Sequence, residues 1–431
     1  MNFLMKKLNP GSEKTLRALL LLIAIGGLYA LSIALSNTFV NVYLWKQSGD
    51  YASIAIYNLA TVIWQPITFI IAGRWAKRVD RVLVLRIGVI FLAFFYLTVL
   101  LIGEQSSDHL VLLGSLLGIG FGFYWLAFNV LTFEITEPDT RDFFNGFLGF
   151  LSSFTGIIGP ISAGFIISRM EEFTGYTTIF TASLLLFAAA VALSFFLSPR
   201  PAKGSYEWKR IFKERSYNSD WKRILHAHFF QGFREGTFAF AITIWVFIAT
   251  GSELAIGTFS LVNSSIALLF YFIAARFIAP SYRKETILYA SLAMYASVLC
   301  LMFSIQFPLL LTYAVITAVA YPLLTVPFAS LTYDVIGRGW RAADMRVEYV
   351  VVKELYLNAG RIVSILLFIG VVLSPYVDIG LPILIAVIGA GHLLMYLAIR
   401  HLYHPPPPRK DEEERYRGNA WVFQQNKSGP R

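Results

Sequence analysis

The sequence predicts an all-α integral membrane protein with twelve transmembrane helices in two pseudo-symmetric six-helix bundles. Three observations predict it. Of 431 residues, 57% are hydrophobic and only 14% charged, whereas soluble domains carry about 25% charged residues. Twelve apolar segments of spanning length follow one another. The first six also repeat in the second six. Leu131-Thr132-Phe133-Glu134-Ile135, closing segment four, matches Leu331-Thr332-Tyr333-Asp334-Val335, closing segment ten, and Gly73-Arg74-Trp75 matches Ala275-Arg276-Phe277. Both pairs keep an offset of about 200 residues, the mark of a parallel internal repeat.

The segments are 16–44, 51–74, 82–103, 109–134, 143–168, 176–198, 223–249, 254–279, 285–306, 308–335, 347–374 and 379–401. They divide the chain into an N-terminal bundle (1–198), a linker (199–222), a C-terminal bundle (223–401) and a disordered tail (402–431). An even number of spans puts both termini on one side. If that side is cytoplasmic, the outer loops hold only Lys46 and Arg169, while Arg74, Lys77, Arg78, Arg81, Arg141, the linker cations, Arg283, Lys284, Arg338 and Arg341 fall inside. This is the positive-inside bias of a plasma-membrane protein. It places Ser107 and Glu172 outside and Ser205 inside. It also accounts for the net charge of +10 without nucleic acid.

In the linker, Trp208, Ile211 and Phe212 share one helical face among Lys209, Arg210 and Lys213. That pattern suits a short amphipathic helix on the inner membrane surface, or a solvated basic linker. The run His404-Pro405-Pro406-Pro407-Pro408 opens the tail as a polyproline spacer. The single Cys300 permits neither an internal disulfide nor a cysteine metal site. No cofactor is expected. Neither His-Glu-x-x-His nor Gly-x-Ser-x-Gly occurs, so the chain is not read as an enzyme. The run Gly118-Ile119-Gly120-Phe121-Gly122 sits inside an apolar helix and is no nucleotide loop.

Segment seven carries Gln231, Arg234 and Glu235 at i, i+3 and i+4, deep in an apolar run. Each charge there costs about 2.5–3.5 kcal/mol on insertion scales. Either a buried ion pair locks two helices, or the residues form a substrate or proton site. Segment eleven adds Glu354, Asn358 and Arg361 at i, i+4 and i+7, so Arg234, Glu235, Glu354 and Arg361 would form a compensated network on more than one helix. Polar residues also mark segment one (Tyr29, Ser32, Ser36, Asn37, Asn41), segment two (Asn58, Thr61, Gln65) and segment four (Trp125, Asn129, Thr132). Segments three and nine are almost wholly apolar. One group of helices therefore lines something wet, and another is scaffold.

With two six-helix halves and an inner linker, the chain resembles the major facilitator superfamily (MFS) of secondary transporters over 16–401. After segment two the family pattern is Gly-x-Leu-Ala-Asp-Arg-x-Gly-Arg. Here Gly73, Ala76, Arg78 and Arg81 match, Arg74 takes a variable place, Lys77 replaces the acid and Asp80 replaces a glycine. The resemblance implies an inner gate here, together with the boundary acids Glu134 and Asp334. Lys77 is expected to pair with an acid such as Glu134 or Glu137, and Asp80 to supply the missing charge. In segment five, Gly146, Gly159, Pro160 and Gly164 match the family's antiporter pattern, which implies close helix packing and export.

By resemblance, segments one, four, seven and ten line a central cavity. The expected function is alternating-access transport, proton-coupled, exporting a small amphipathic or hydrophobic molecule. The site residues would be Tyr29, Asn37, Trp125, Asn129, Gln231, Arg234, Glu235, Glu354, Asn358 and Arg361. The partners are the small-molecule substrate, the bilayer and protons, and a monomer suffices for this mechanism. Other readings are a lipid or glycolipid flippase of the same fold and a non-transporting scaffold or sensor.

Overall fold

The computed structural model describes residues 13–135, 138–171, 173–201, 204–302 and 304–402, with side chains outside 13–16 and 133–147. Glu137, Glu172 and the tail from 403 onward lie outside the described residues, as do the side chain of Glu134 and the packing around Gly146.

The first bundle contains α1 (Glu13–Ser48), α2 (Tyr51–Arg78), α3 (Arg81–Ile102), α4 (Leu110–Ile135), α5 (Pro138–Arg169) and α6 (Thr174–Ser194). A short linker helix, α7 (Trp208–Glu214), follows. The second bundle contains α8 (Ser219–Thr250), α9 (Glu253–Phe277), α10 (Arg283–Leu301), α11 (Phe307–Gly337) and α12 (Arg346–Val372), then α13 (Val377–Gly389) and α14 (Gly391–Ile399). Segment twelve is thus interrupted at Ala390. Ten stretches among the described residues are long and apolar enough to cross a membrane. One of them, Arg81–Thr132, covers α3 and most of α4. Adding α10, whose first turn carries Arg283, Lys284 and Glu285, gives twelve spans.

Local chemistry sets the helix boundaries. Asp50 caps α2 by accepting from the N–H groups of Ala52 and Ser53, Asn218 caps α8 through Trp221 N–H, and Gly251 closes α8 in the left-handed region at φ 63°. The bundles meet where α2 packs on α12 and α5 on α9. In the second contact a Cβ on Gly164 would lie 2.5 Å from the Glu253 carbonyl oxygen, so the residue must stay small. Gly159 approaches Ala34 of α1 in the same way, and the Pro160 carbonyl lies against Gly257.

The linker is tied to protein. Arg200 N–H donates to the Asp80 carboxylate at 2.9 Å, and Gly204 N–H to the Lys77 carbonyl at 3.0 Å. On α7, Ile211 is fully buried and Phe212 meets Tyr356 of α12, as does Arg215 just past the helix end. The apolar face expected on the membrane surface therefore packs on α12.

Candidate substrate and proton site

A cavity of about 640 Å³ lies between the bundles. Asn37 and Asn41 of α1, Asn58, Thr61 and Gln65 of α2, and Trp125 and Asn129 of α4 form its first wall. Arg234 and Glu235 of α8, Tyr313 and Tyr321 of α11, and Glu354 and Arg361 of α12 form the opposite wall. The helical spacing of Asn58, Thr61 and Gln65 gives the first wall its α2 edge.

The second wall depends on a very close contact between α8 and α12. A Cβ on Gly232 would fall 1.9 Å from the Leu357 carbonyl oxygen, and one on Gly360 1.9 Å from that of Phe229. Thr237 and Ser364 hydrogen-bond across the same contact. The proximity brings Arg361 Nη2 to 2.9 Å from Glu235 Oε2. The other carboxylate oxygen, Oε1, accepts from Gln231 Nε2 at 2.9 Å and from the Tyr321 hydroxyl at 3.0 Å. Behind Gln231, its carbonyl oxygen faces His228 Nδ1 at 3.0 Å, and His228 Nε2 reaches Thr332 at 3.2 Å. An amide oxygen only accepts, so that contact calls for a proton on Nδ1. Asn358 is buried, accepts from Arg361 Nη1 and donates to the Glu354 carbonyl.

The four-charge network takes a different form from the one expected. Glu235 pairs with Arg361, but Glu354 pairs with its neighbour Lys353 at 3.0 Å. Lys353 was missed because it sits beside an acid already counted. Arg234 is buried and has no carboxylate within ion-pair distance among the described residues. It donates to the Tyr313 hydroxyl at 3.0 Å and lies 4.9 Å from the Phe238 ring centre. Gln231 and Asn358 hold the charged groups from behind and do not line the cavity.

Tyr29 is a correction to the expected cavity wall. Its ring stacks on Tyr124 at 3.9 Å inside the first bundle and meets Phe121 and Trp125 edge-on, one layer behind the cavity lining. Ser32 and Ser36 likewise bond Ser183 of α6 and Tyr96 of α3. A helix as long as α1 turns more than one face toward protein, so its polar residues do not form a single stripe.

At the linker end, Lys77 Nζ lies 3.1 Å from Glu348 Oε1 of α12, and Lys77 also donates to the Asp344 carbonyl. Glu348 is fully buried and accepts weakly from Glu207 N–H at 3.4 Å. An acid of the other bundle therefore partners Lys77. Asp80 caps α3 through Val82 and Leu83 N–H, so its carboxylate is engaged locally and with the linker. Gly73 leaves room for the Tyr206 ring, whose hydroxyl burial pushes upward in pKa. Arg74 and Arg78 are exposed and border a cleft with Trp208. Asp334 pairs with Arg283 at 2.9 Å within its own bundle. Arg81 borders a cavity of about 760 Å³ at this end, and Asn129 borders both that cavity and the central one.

At the opposite end, Lys46 of α1 bridges to Glu253 of α9 at 3.0 Å, and the Tyr176 hydroxyl donates to the same oxygen at 2.8 Å. The sequence carried no signal for this pair, since both charges sit at span ends, where ionic residues are ordinary.

A polar cavity between two six-helix bundles, with a cross-bundle ion pair at each end, is the architecture of a secondary transporter. The Major Facilitator Superfamily model matches residues 17–347, and the chain belongs to that family. It is 58% identical over 386 residues to the uncharacterized protein YqgE of Bacillus subtilis strain 168, covering 90% of each chain. It is 59% identical over 194 residues to an uncharacterized protein of the sodM 3' region of Geobacillus stearothermophilus, covering 45% of this chain and 91% of that one. Among solved structures it is similar to the human organic anion transporter MFSD10 (TM-score 0.65, 14% identity) and the nucleoside transporter NupG (TM-score 0.68, 12% identity). Each comparison covers 90% of this chain and all of the other. At those identities the likeness is one of fold.

Proposed function

We propose that this chain is a proton-coupled exporter of small amphipathic molecules in the plasma membrane, working by alternating access with the linker and both termini in the cytoplasm. The observation that carries the coupling is the Glu235–Arg361 pair on the cavity wall. Desolvation favours the neutral carboxyl, and an adjacent guanidinium favours the carboxylate. A conformational change within the second bundle that draws the Arg361 side chain away from Glu235 would switch it between those environments, and differential proton affinity is all that coupling requires. Tyr321, Gln231, Arg234, Glu354, Asn358 and Tyr271 are the other polar or charged groups near that carboxylate. The two end bridges, Lys77–Glu348 and Lys46–Glu253, suit the gates that open in turn. The small residues of α5 support export by resemblance, and the basic linker end supports the orientation.

An untargeted comparison of compounds retained by cells with and without the protein would supply the cargo. In proteoliposomes under an imposed pH gradient, wild type then accumulates that cargo and Glu235→Gln does not, while still binding it. Equal pH-driven accumulation by Glu235→Gln refutes the coupling. For orientation, cysteines at Ser107 and Ser205, with Cys300 replaced, are treated with an impermeant reagent in intact cells. The Ser107 site labels and the Ser205 site does not.

A further inference from the structure

From the one buried cation that, among the described residues, the cavity leaves without a counter-charge, we infer that Arg234 is an anion subsite and that the cargo is a small organic monoanion. The inference rests on the transport reading. Among the described residues, Glu235 on the second wall is paired with Arg361, and Glu354 is paired with Lys353, which stands beside it on α12 outside the cavity lining, so these four charges cancel. Arg234 is left over. It is only 4% exposed, it lines the cavity, and its Nε is buried without a hydrogen-bond partner. One hydroxyl and one aromatic face are weak compensation for a desolvated guanidinium with five N–H donors. A planar carboxylate or a sulfonate matches that fork and supplies the charge. A single uncompensated cation matches one negative charge rather than two.

The facing wall fits the rest of such a molecule. Asn37, Asn41, Asn58 and Gln65 are neutral amides that both donate and accept, so they hold polar substituents without repelling the anion. Trp125 on this wall and Phe238 on α8 opposite give its apolar body two aromatic surfaces.

The test uses purified protein and a panel of small aromatic and aliphatic carboxylic acids, each paired with its neutral primary amide and an amine of the same shape. Thermal stabilisation reports binding. Acids are expected to stabilise wild type more than their amides or amines. Arg234→Gln should weaken acid binding by about tenfold or more, as loss of a charged hydrogen-bond partner does, and remove the preference for acid over amide. Arg234→Lys should keep part of that preference. If Arg234→Gln does not fold, wild type and Arg234→Lys still decide the matter. Stabilisation by amides or amines equal to that by acids, no stabilisation by any acid, or an acid preference that survives in Arg234→Gln overturns the inference. Counterflow of each binding probe in proteoliposomes separates the two layers. Transport without an acid preference refutes the anion subsite and leaves the transporter standing, whereas failure to move any bound probe refutes the transport reading as well.

Discussion

The two walls of the central cavity come from bundles of the same architecture, yet among the described residues one wall is neutral and the other holds every charge. On the first wall, amides satisfy one another, as where Asn58 Nδ2 donates to Asn41 Oδ1 at 2.7 Å. On the second, Arg234, Glu235, Glu354 and Arg361 line the same space. Backbone approach explains how the second wall can hold ions. Gly232 and Gly360 let α8 and α12 touch closely enough for an ion pair to form between them. The repeat thus supplies the frame twice: one copy lines the cavity with neutral amides, and the other lines it with charge.

Removing half of the charged pair is the strongest way to break this division. Arg361→Ala leaves the Glu235 carboxylate in a largely desolvated site with only Gln231 and Tyr321 as donors. A loss of about 3–5 kcal/mol is expected, the usual cost of orphaning a buried charge. Thermal denaturation in detergent measures it. The double variant Glu235→Gln/Arg361→Gln should recover most of that stability without recovering pH-driven transport. If Arg361→Ala is as stable as wild type, the wall does not depend on the pair.

Backbone contact comes next. Gly360→Ala places a Cβ against the Phe229 carbonyl oxygen. Overpacking should cost about 1–3 kcal/mol or more and push Arg361 away from Glu235. Gly156→Ala, whose Cβ would meet only Ser264 at 3.3 Å, is the control and should be nearly neutral. Equal melting temperatures for the two variants would remove close packing as the reason the second wall tolerates charge.

How much of this division was legible in the sequence depended on whether partners lay on one helix. The stripe Asn58, Thr61, Gln65 reads directly, because helical spacing alone puts its members on one face. Gln231 beside Glu235 reads for the same reason. The pairing of Glu235 with Arg361 spans 126 positions and could only be guessed as a partner on another helix. The Lys77–Glu348 bridge was legible only in part. The reversed charge at Lys77 called for an acid, but nothing in the chain pointed to α12. Tyr29 was misplaced because a polar aromatic on a cavity helix also serves as packing. The twelve spans and the linker were legible because hydropathy is local, whereas the burial of Ile211 against protein rather than lipid was not.

The end bridges test whether the two bundles are joined by charge as the cavity is lined by it. Lys77→Asp sets a carboxylate against buried Glu348 and should slow transport by roughly tenfold through like-charge repulsion. Combining it with Glu348→Lys restores an opposite-charge pair and should return part of the rate. Initial rates in proteoliposomes decide this. A Lys77→Asp variant faster than wild type would mean that the family's acidic residue, and not this lysine, is the better latch.

The smallest expected effect falls on the neutral wall and bears most directly on the division of tasks. Asn58 donates to Asn41 and to the Ile54 carbonyl, and it faces the cavity. Asn58→Leu keeps the side chain's bulk but removes the amide, leaving Asn41 Oδ1 without this donor. Because the group borders a cavity, water can replace much of that bond. The stability cost should therefore stay near about 1 kcal/mol, the net worth of an ordinary hydrogen bond. A wall that only binds should show its loss as a KM raised severalfold for the cargo. The number of protons moved per cargo molecule, read from the pH gradient that just stops net flux, should not change. That pattern is the signature of removed binding energy. A changed stoichiometry in Asn58→Leu would mean that the amides of the first bundle take part in proton movement and that the two walls share one task.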